Sequence, residues 1–341
     1  MEQKLLTVTV PAYNAEKYLD TCLASLCREA ALSRLEVLVI NDGSTDGTKT
    51  LAESWQARYP DTVRVITKEN GGHGSGINTG IREASGRYFK IVDADDWVDA
   101  NAFLKLLKTL EETNADAVVS GFYWAFEENG KTPDEFPRKA EIKEPFPGVE
   151  YGKLYRFNEI AAKCYLKMHG LTWRTDVLRS HEIRVDENCY YVDTEYILYP
   201  IPYIETVLFI PDFVYQYRIG RSGQSVSPER MQKNAAHYDR VMKSVCGFTE
   251  RCRTGDIPCT PEKLAYINGI AARAAAGKIK VILSFPPDRR YKEALRTFDQ
   301  ELKKDFPDIY AANRNKAVKL LRMSNYLLYR PAAWMLRQTK R

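Results

Sequence analysis

Asp93-Ala94-Asp95-Asp96 puts three carboxylates within four residues. Like charges at this spacing repel unless a counter-ion joins them, and a divalent cation is the natural one. Hard Mg²⁺ or Mn²⁺ binds one or two protein carboxylates and fills its shell with phosphate oxygens and water. An Asp-x-Asp loop therefore suits a nucleotide diphosphate better than a closed protein cage. The same residues also read as an acidic surface turn that opens a helix, and a lone Asp-x-Asp does not separate the two readings. Asp42 lies in a second acidic loop, Asn41-Asp42-Gly43-Ser44-Thr45-Asp46-Gly47, where it can meet a ligand or cap a turn. A third loop, Asn70-Gly71-Gly72-His73-Gly74, is glycine-rich, and its His73 is a candidate phosphate contact or a passive polar residue. Asp193, in Tyr191-Val192-Asp193-Thr194-Glu195, can act as a general base or simply favour the positive end of a helix. Arg218 and Arg221 flank Ile219-Gly220, a loop suited to closing on a diphosphate or to carrying solvated cations.

These loops need strands to hold them. Residues 5–10, 37–40, 63–67, 88–92 and 117–120 are short apolar or β-branched runs separated by helical patterns, including Tyr18, Leu19, Cys22, Leu23 and Leu26 behind a capping Asn14. Such alternation predicts an α/β fold with a mostly parallel, doubly wound sheet, in which ligands bind at the carboxyl ends of the strands. Asp42, Asp93 and Asp95 all fall at such ends. Residues 122–219 are aromatic-rich and interrupted by Pro, and helical patterns follow over 231–252, 261–283 and 291–306. The expected organisation is a domain over 1–220, divided at residue 121 into a regular half (1–121) and an aromatic-rich half (122–220), with a helical region over 228–341.

The 341 residues include 44% hydrophobic and 28% charged side chains, the composition of a protein that buries a sizeable core. No segment approaches the roughly 18 uninterrupted apolar residues of a membrane span. Met1-Glu2-Gln3-Lys4-Leu5 leads straight into a strand without the pattern of a signal peptide, so a cytoplasmic location is expected. Seven scattered Cys, with no paired spacing, read as reduced thiols without a zinc site. The net charge of +5 conceals an asymmetry. From Arg314 to the end there are eight Lys or Arg and no Asp or Glu, so residues 1–313 carry −3 by subtraction. An acidic body without a basic aromatic stripe argues against nucleic acid as a partner. The tail mixes Val318, Leu320, Leu321, Met323, Leu327, Leu328, Trp334, Met335 and Leu336 with evenly spaced cations. It can lie in an anionic headgroup layer, or pack its apolar face on the body and solvate its charges.

Taken together, Val8-Thr9-Val10-Pro11-Ala12-Tyr13-Asn14, Asn41-Asp42-Gly43-Ser44, Asn70-Gly71-Gly72 with Asn78-Thr79-Gly80, and Asp93-Ala94-Asp95-Asp96 resemble the family 2 glycosyltransferases over roughly residues 4–125. The resemblance implies the glycosyltransferase-A fold and inverting transfer of the bacterial glycan and capsule type, from a nucleotide-sugar donor, usually a UDP-sugar, with Mn²⁺ or Mg²⁺; it makes 1–220 the catalytic domain, with 1–121 the nucleotide-sugar-binding half and 122–220 the acceptor half. It places Pro11, Tyr13 and Asn14 beside the nucleotide, Asp42 at the base, Asn70, Gly71 and His73 along the glycine-rich loop, Asp93 near the ribose, and Asp95 with Asp93 at the metal. Asp96 then supports the site or caps a helix. Family members often carry Ala-Arg-Asn where this chain has Gly76-Ile77-Asn78, which removes one phosphate contact that His73 could supply. The resemblance also makes Asp193 the base that deprotonates the acceptor hydroxyl, with Val192 in place of a Glu, and Arg218 and Arg221 contacts of the departing diphosphate. Trp173 offers a face for a sugar ring or belongs to the core. The acceptor expected is a glycan or a lipid-linked glycan, reached at the inner membrane face through residues 314–341. Two other classes remain at this point, a nucleotidyltransferase acting on sugar phosphates and a non-enzymatic membrane-surface binder. The first would carry a Gly-rich basic loop after its first strand, where this chain has Pro11-Ala12-Tyr13-Asn14.

Overall fold

β1 (Leu6–Ala12) and β2 (Leu35–Asp42) are almost wholly buried, as strands covered on both faces must be. They pair in parallel, with Leu6 opposite Leu35 and Ala12 opposite Asn41. This is a computed structural model, describing residues 4–141, 148–220 and 228–338. Between these strands run α1 (Glu16–Leu26), which turns Leu19, Cys22, Leu23 and Leu26 into the core, and α2 (Glu29–Leu32). α3 (Thr48–Arg58) leads to β3 (Val63–Lys68), and α4 (Gly72–Glu83) to β4 (Tyr88–Ile91). The short β5 (Trp97–Val98) precedes α5 (Ala100–Glu112) and β6 (Ala117–Phe126). Then come β7 (Arg138–Ala140), β8 (Leu154–Arg156), α6 (Phe157–Ile160), β9 (Leu171–Arg174), α7 (Thr175–Ser180), α8 (Asp193–Leu198) and β10 (Thr206–Ile219).

The sheet order is β3-β2-β1-β4-β9-β6-β10-β5, with β7 beside β6 and β8 beside β10. β3-β2-β1-β4 run parallel, as do β6 and β10, while β9 is antiparallel to both its neighbours. The α/β fold with a C-terminal helical region is as expected, with one difference. The strand after β4 in space is β9, inserted from the aromatic-rich segment. Its Leu171, Thr172 and Trp173 are 0% exposed, which suits a strand covered on both faces, so Trp173 is core and cannot stack on a sugar.

The described residues fall into two compact units. One holds those through Asn188 together with Tyr203 to Gly220; the other holds Cys189–Pro202 and residues 228–338. The second unit thus takes α8 out of the segment expected to be an acceptor half. Lys263, almost fully buried, donates to the Pro202 carbonyl at 3.1 Å and ties that segment to the helices. Those helices are α9 (Pro228–Lys233), α10 (Ala235–Thr254), α11 (Pro261–Ser284), α12 (Arg289–Asp305), α13 (Pro307–Ala311), α14 (Lys316–Met323) and α15 (Tyr329–Gln338). Local sequence sets their limits. Gly255 at φ 89° stops α10, and Thr260 caps α11 ahead of Pro261. Among the described residues no helix is long and apolar enough to cross a membrane.

The tail is docked on this unit. Val318, Leu321, Tyr326, Tyr329 and Ala333 pack with Ile279, Leu283 and Leu295. Asp299, buried on α12, accepts Arg322 Nη2 at 2.7 Å and Nε at 2.9 Å as well as the Tyr326 hydroxyl, and the Arg322 guanidinium lies over the Tyr310 ring. Removing one member of such a pair leaves an uncompensated buried charge. Asp299→Ala is therefore expected to lower unfolding free energy by about 3 kcal/mol, read from urea denaturation.

Candidate functional site

The loops singled out in the sequence lie at the carboxyl ends of β1, β2 and β4, the edge at which open α/β sheets bind ligands. Asp42, the last residue of β2, is buried and fully engaged. Its Oδ1 accepts Lys68 Nζ at 2.8 Å and the Gly71 N–H at 3.0 Å, and its Oδ2 accepts the Gly72 N–H at 2.7 Å. It therefore caps α4, not the helix that follows it in sequence. Asn70 returns a side-chain bond to the Asp42 carbonyl at 2.9 Å. Gly43, between these partners, sits at φ 74°, a conformation that glycine adopts without strain.

Asn14 departs from its expected part. It stands in the left-handed region at φ 50°, its side-chain oxygen accepts the Thr45 N–H at 2.9 Å, and Ala15 takes the cap position of α1. The β1 and β2 loops are thereby joined. Tyr13 beside it is 54% exposed, so its ring is available to a flat ligand. Pro11 lies over α4 so closely that a Cβ on Gly76 would come within 2.8 Å of it. The close approach continues at Gly74, where a Cβ would lie 2.0 Å from the Asp186 carbonyl oxygen. Asn78 bonds the Val185 backbone in both directions at 2.9 Å. The glycines of this stretch serve packing as well as the loop.

Asp93 and Asp95 are half-buried and Asp96 is fully buried. Asp93 Oδ1 meets His73 Nε2 at 2.8 Å, so α4 delivers its imidazole to the Asp-x-Asp turn. Asp96 accepts the Tyr215 hydroxyl on one oxygen and the Arg218 N–H at 2.8 Å on the other. Burial, reinforced by the charges of Asp95 and Asp93, pushes its carboxyl well above the usual range. Asp96 thus anchors the turn to β10. Arg218, expected as an arm reaching for phosphate, is a correction. It is 3% exposed, caged by the rings of Tyr18, Trp97 and Phe136, with Nε donating to the Asp95 carbonyl at 2.7 Å. A guanidinium held this way positions Asp95 and is not free to move onto a ligand. Arg221 lies outside the described residues.

Two residues at this turn carry no signal in the sequence. Lys90 is completely buried on β4, bonds the His169 and Leu171 carbonyls at 2.7 and 3.1 Å, and is pushed by burial down to about 7. His169 packs against Phe122, Tyr215 and Tyr217. Asp93, Asp96 and His169 each bring a ligand atom within 4.8 Å of the others, a carboxylate and imidazole set of the kind small divalent cations take; both Asp96 oxygens already accept bonds, and Asp95 lies outside this group. Burial lowers His169 from its ordinary 6.5 to about 4. As pH falls from 6.5 to about 4 the unfolded imidazole binds a proton that the folded one refuses, so stability is lost through that window. The loss reaches about 2–3 kcal/mol, and urea midpoints between pH 7 and 4 should fall less steeply for His169→Gln.

Asp193 belongs to the helical unit. Val192 holds the cap position of α8 and Asp193 is the first helical residue, half-buried. Tyr191 precedes them in the left-handed region at φ 71°, its ring 4.3 Å from that of Tyr238. Burial first, then the charge of Asp193, raises the Tyr238 hydroxyl above its usual range.

A partly parallel sheet with acidic and glycine-rich loops at its strand ends is a glycosyltransferase-A fold. Its backbone matches Staphylococcus aureus TarS, solved in complex with UDP-GlcNAc, with a TM-score of 0.53 at 19% identity over 98% of this chain and 92% of that one. Residues 7–165 match the model of glycosyl transferase family 2. It is 29% identical to the putative glycosyltransferase EpsH of Bacillus subtilis over 64% of this chain and 62% of that protein. It is 40% identical to the uncharacterized glycosyltransferase EpsJ of the same organism over 35% of this chain and 34% of that one. The matches thus span less than two thirds of either relative.

Proposed function

We propose that the protein is an inverting glycosyltransferase that moves a sugar from a nucleotide-diphosphate donor, of the UDP class, to a hydroxyl of a glycan or lipid-linked acceptor. The observation that carries this reading is the Asp93-Ala94-Asp95-Asp96 turn, held open by Asp96 and Arg218 beneath it and met by His73 from α4. Pro11, Tyr13, Asn14 and Asp42 border the nucleoside. Asn70, Gly71 and His73 line its phosphates, His73 taking over the contact of the arginine that the family pattern often has where this chain has Ile77. Asp93 and Asp95 would hold Mn²⁺ or Mg²⁺. That cation, when bound, would offset charge on the departing diphosphate. Asp193 accepts the proton of the acceptor hydroxyl. The test is incubation with a panel of UDP-, GDP- and CDP-sugars and Mn²⁺, following nucleotide release and the anomeric configuration of the product by NMR. Release from UDP-sugars with inversion is expected; a nucleotide monophosphate or a retained configuration would contradict it.

The tail extends the proposal. One side of α14 and α15 is core, but Leu320, Met323, Leu327, Leu328, Trp334 and Met335 are 42–76% exposed beside Lys316, Lys319, Arg330 and Arg337, which are exposed as well. Large apolar groups among cations fit the headgroup layer of an anionic membrane better than bulk water.

A further inference from the structure

Between the start of α12 and the turn into α15 lies a surface cavity of about 530 Å³, lined by Asp288, Arg289, Lys292, Glu293, Arg296, Leu327, Tyr329 and Arg330. Its two acids are already engaged. Glu293 Oε1 accepts Arg289 Nε at 2.7 Å, and Asp288 accepts Arg290 at 3.5 Å and the Tyr291 N–H at 3.1 Å. Arg296 stands 6.0 Å from the Tyr326 ring, a contact that leaves its charge in place. Lys292, Arg296 and Arg330 thus face the cavity with no carboxylate neutralising them among the described residues.

The rim supplies the second half of the argument. Leu327, 76% exposed, lines the cavity, and Leu328 follows it in the chain. A soluble anion has no use for apolar side chains at the mouth of its site. A lipid does: its phosphate lies at headgroup depth while its chains begin immediately below. The volume is also within the range of about 300–1,000 Å³ that small-molecule sites occupy, room for a headgroup and more than a bare ion needs. We propose that this cavity binds the phosphate-bearing headgroup of a membrane lipid. Lys292, Arg296 and Arg330 meet the phosphate, and Leu327 and Leu328 enter the acyl boundary. The assignment rests on the membrane reading of the tail and sharpens it from a charged surface to a defined site.

The test is co-sedimentation of the full chain with phosphatidylcholine vesicles containing either phosphatidic acid or phosphatidylglycerol, adjusted to equal surface charge. The native chain should favour phosphatidic acid by about tenfold, and Lys292→Ala with Arg330→Ala should bring that ratio to about one, whatever the fall in overall binding. Leu327→Ser with Trp334→Ser, both at exposed positions, should abolish sedimentation with either vesicle. A ratio of one for the native chain, or a ratio that survives the double alanine change, overturns the cavity and leaves the membrane reading standing. Failure to bind either vesicle overturns the membrane reading. The cavity is then judged alone with dioctanoyl phosphatidic acid below its micellar concentration. Saturable binding lost in the double variant supports the cavity. No binding overturns it, as does equal binding of inorganic phosphate.

Discussion

Asp193→Asn should lower kcat by about a thousandfold, the usual contribution of a general base, while leaving UDP binding unchanged. The substitution keeps the volume of the side chain and removes only its ability to take a proton. The competing role, a negative charge at the positive end of a helix, predicts something else, namely a loss of about 0.3–1 kcal/mol of stability with turnover intact. Val192 occupies the cap position and Asp193 follows it inside the helix. Tyr191 in a left-handed conformation just upstream is the sort of local strain that functional segments retain. Steady-state kinetics on the variant, alongside thermal unfolding and UDP titration, separate the two. Near-normal turnover would remove Asp193 from the chemistry.

Asp95→Ala should also cost about a thousandfold in kcat/KM, because several kcal/mol of charge stabilisation at the diphosphate is lost with the metal. This change carries a second signature of opposite sign. The charge of Asp95 works against the buried carboxyl of Asp96, as does that of Asp93. Without added cation, the variant should therefore be at least as stable as the native chain. With Mn²⁺ and nucleotide it should gain little, whereas the native chain gains by RT ln(1 + [L]/Kd). A variant that is destabilised in the absence of metal, yet still stabilised by metal with nucleotide, would show that Asp95 is structural.

The sheet and its loops were legible because their signals are local. Apolar runs of four to six residues, each followed by a turn with Asp, Asn or Gly, place β1, β2 and β4 and hence Asp42, Asp93 and Asp95. What escaped depends on distant partners. β9 reads as an isolated aromatic segment, and only its insertion between β4 and β6 buries Trp173. Arg218 looks like a loop arm until Tyr18, Trp97 and Phe136 close around it. His169 carries no motif, and its proximity to Asp93 and Asp96 is created by the same insertion, as is the bond its carbonyl accepts from Lys90. Asp42 stands out in its acidic loop, yet the helix it caps begins 30 residues later, at a separation no local pattern reveals. In the tail the composition displayed both possibilities, docking and exposure, and the structure assigns each to a different set of residues, Val318 and Leu321 inward, Leu320 and Met323 outward.

The central claim is that the strand-end loops of the sheet bind a nucleotide diphosphate through a metal held by Asp93 and Asp95. Thermal unfolding of the full chain with UDP, UDP-sugars and Mn²⁺, with and without chelator, tests it most directly. Stabilisation by UDP-sugars that requires Mn²⁺, disappears with chelator and is absent in Asp95→Ala is the result expected. Unfolding that no nucleotide shifts, with or without metal, would contradict it.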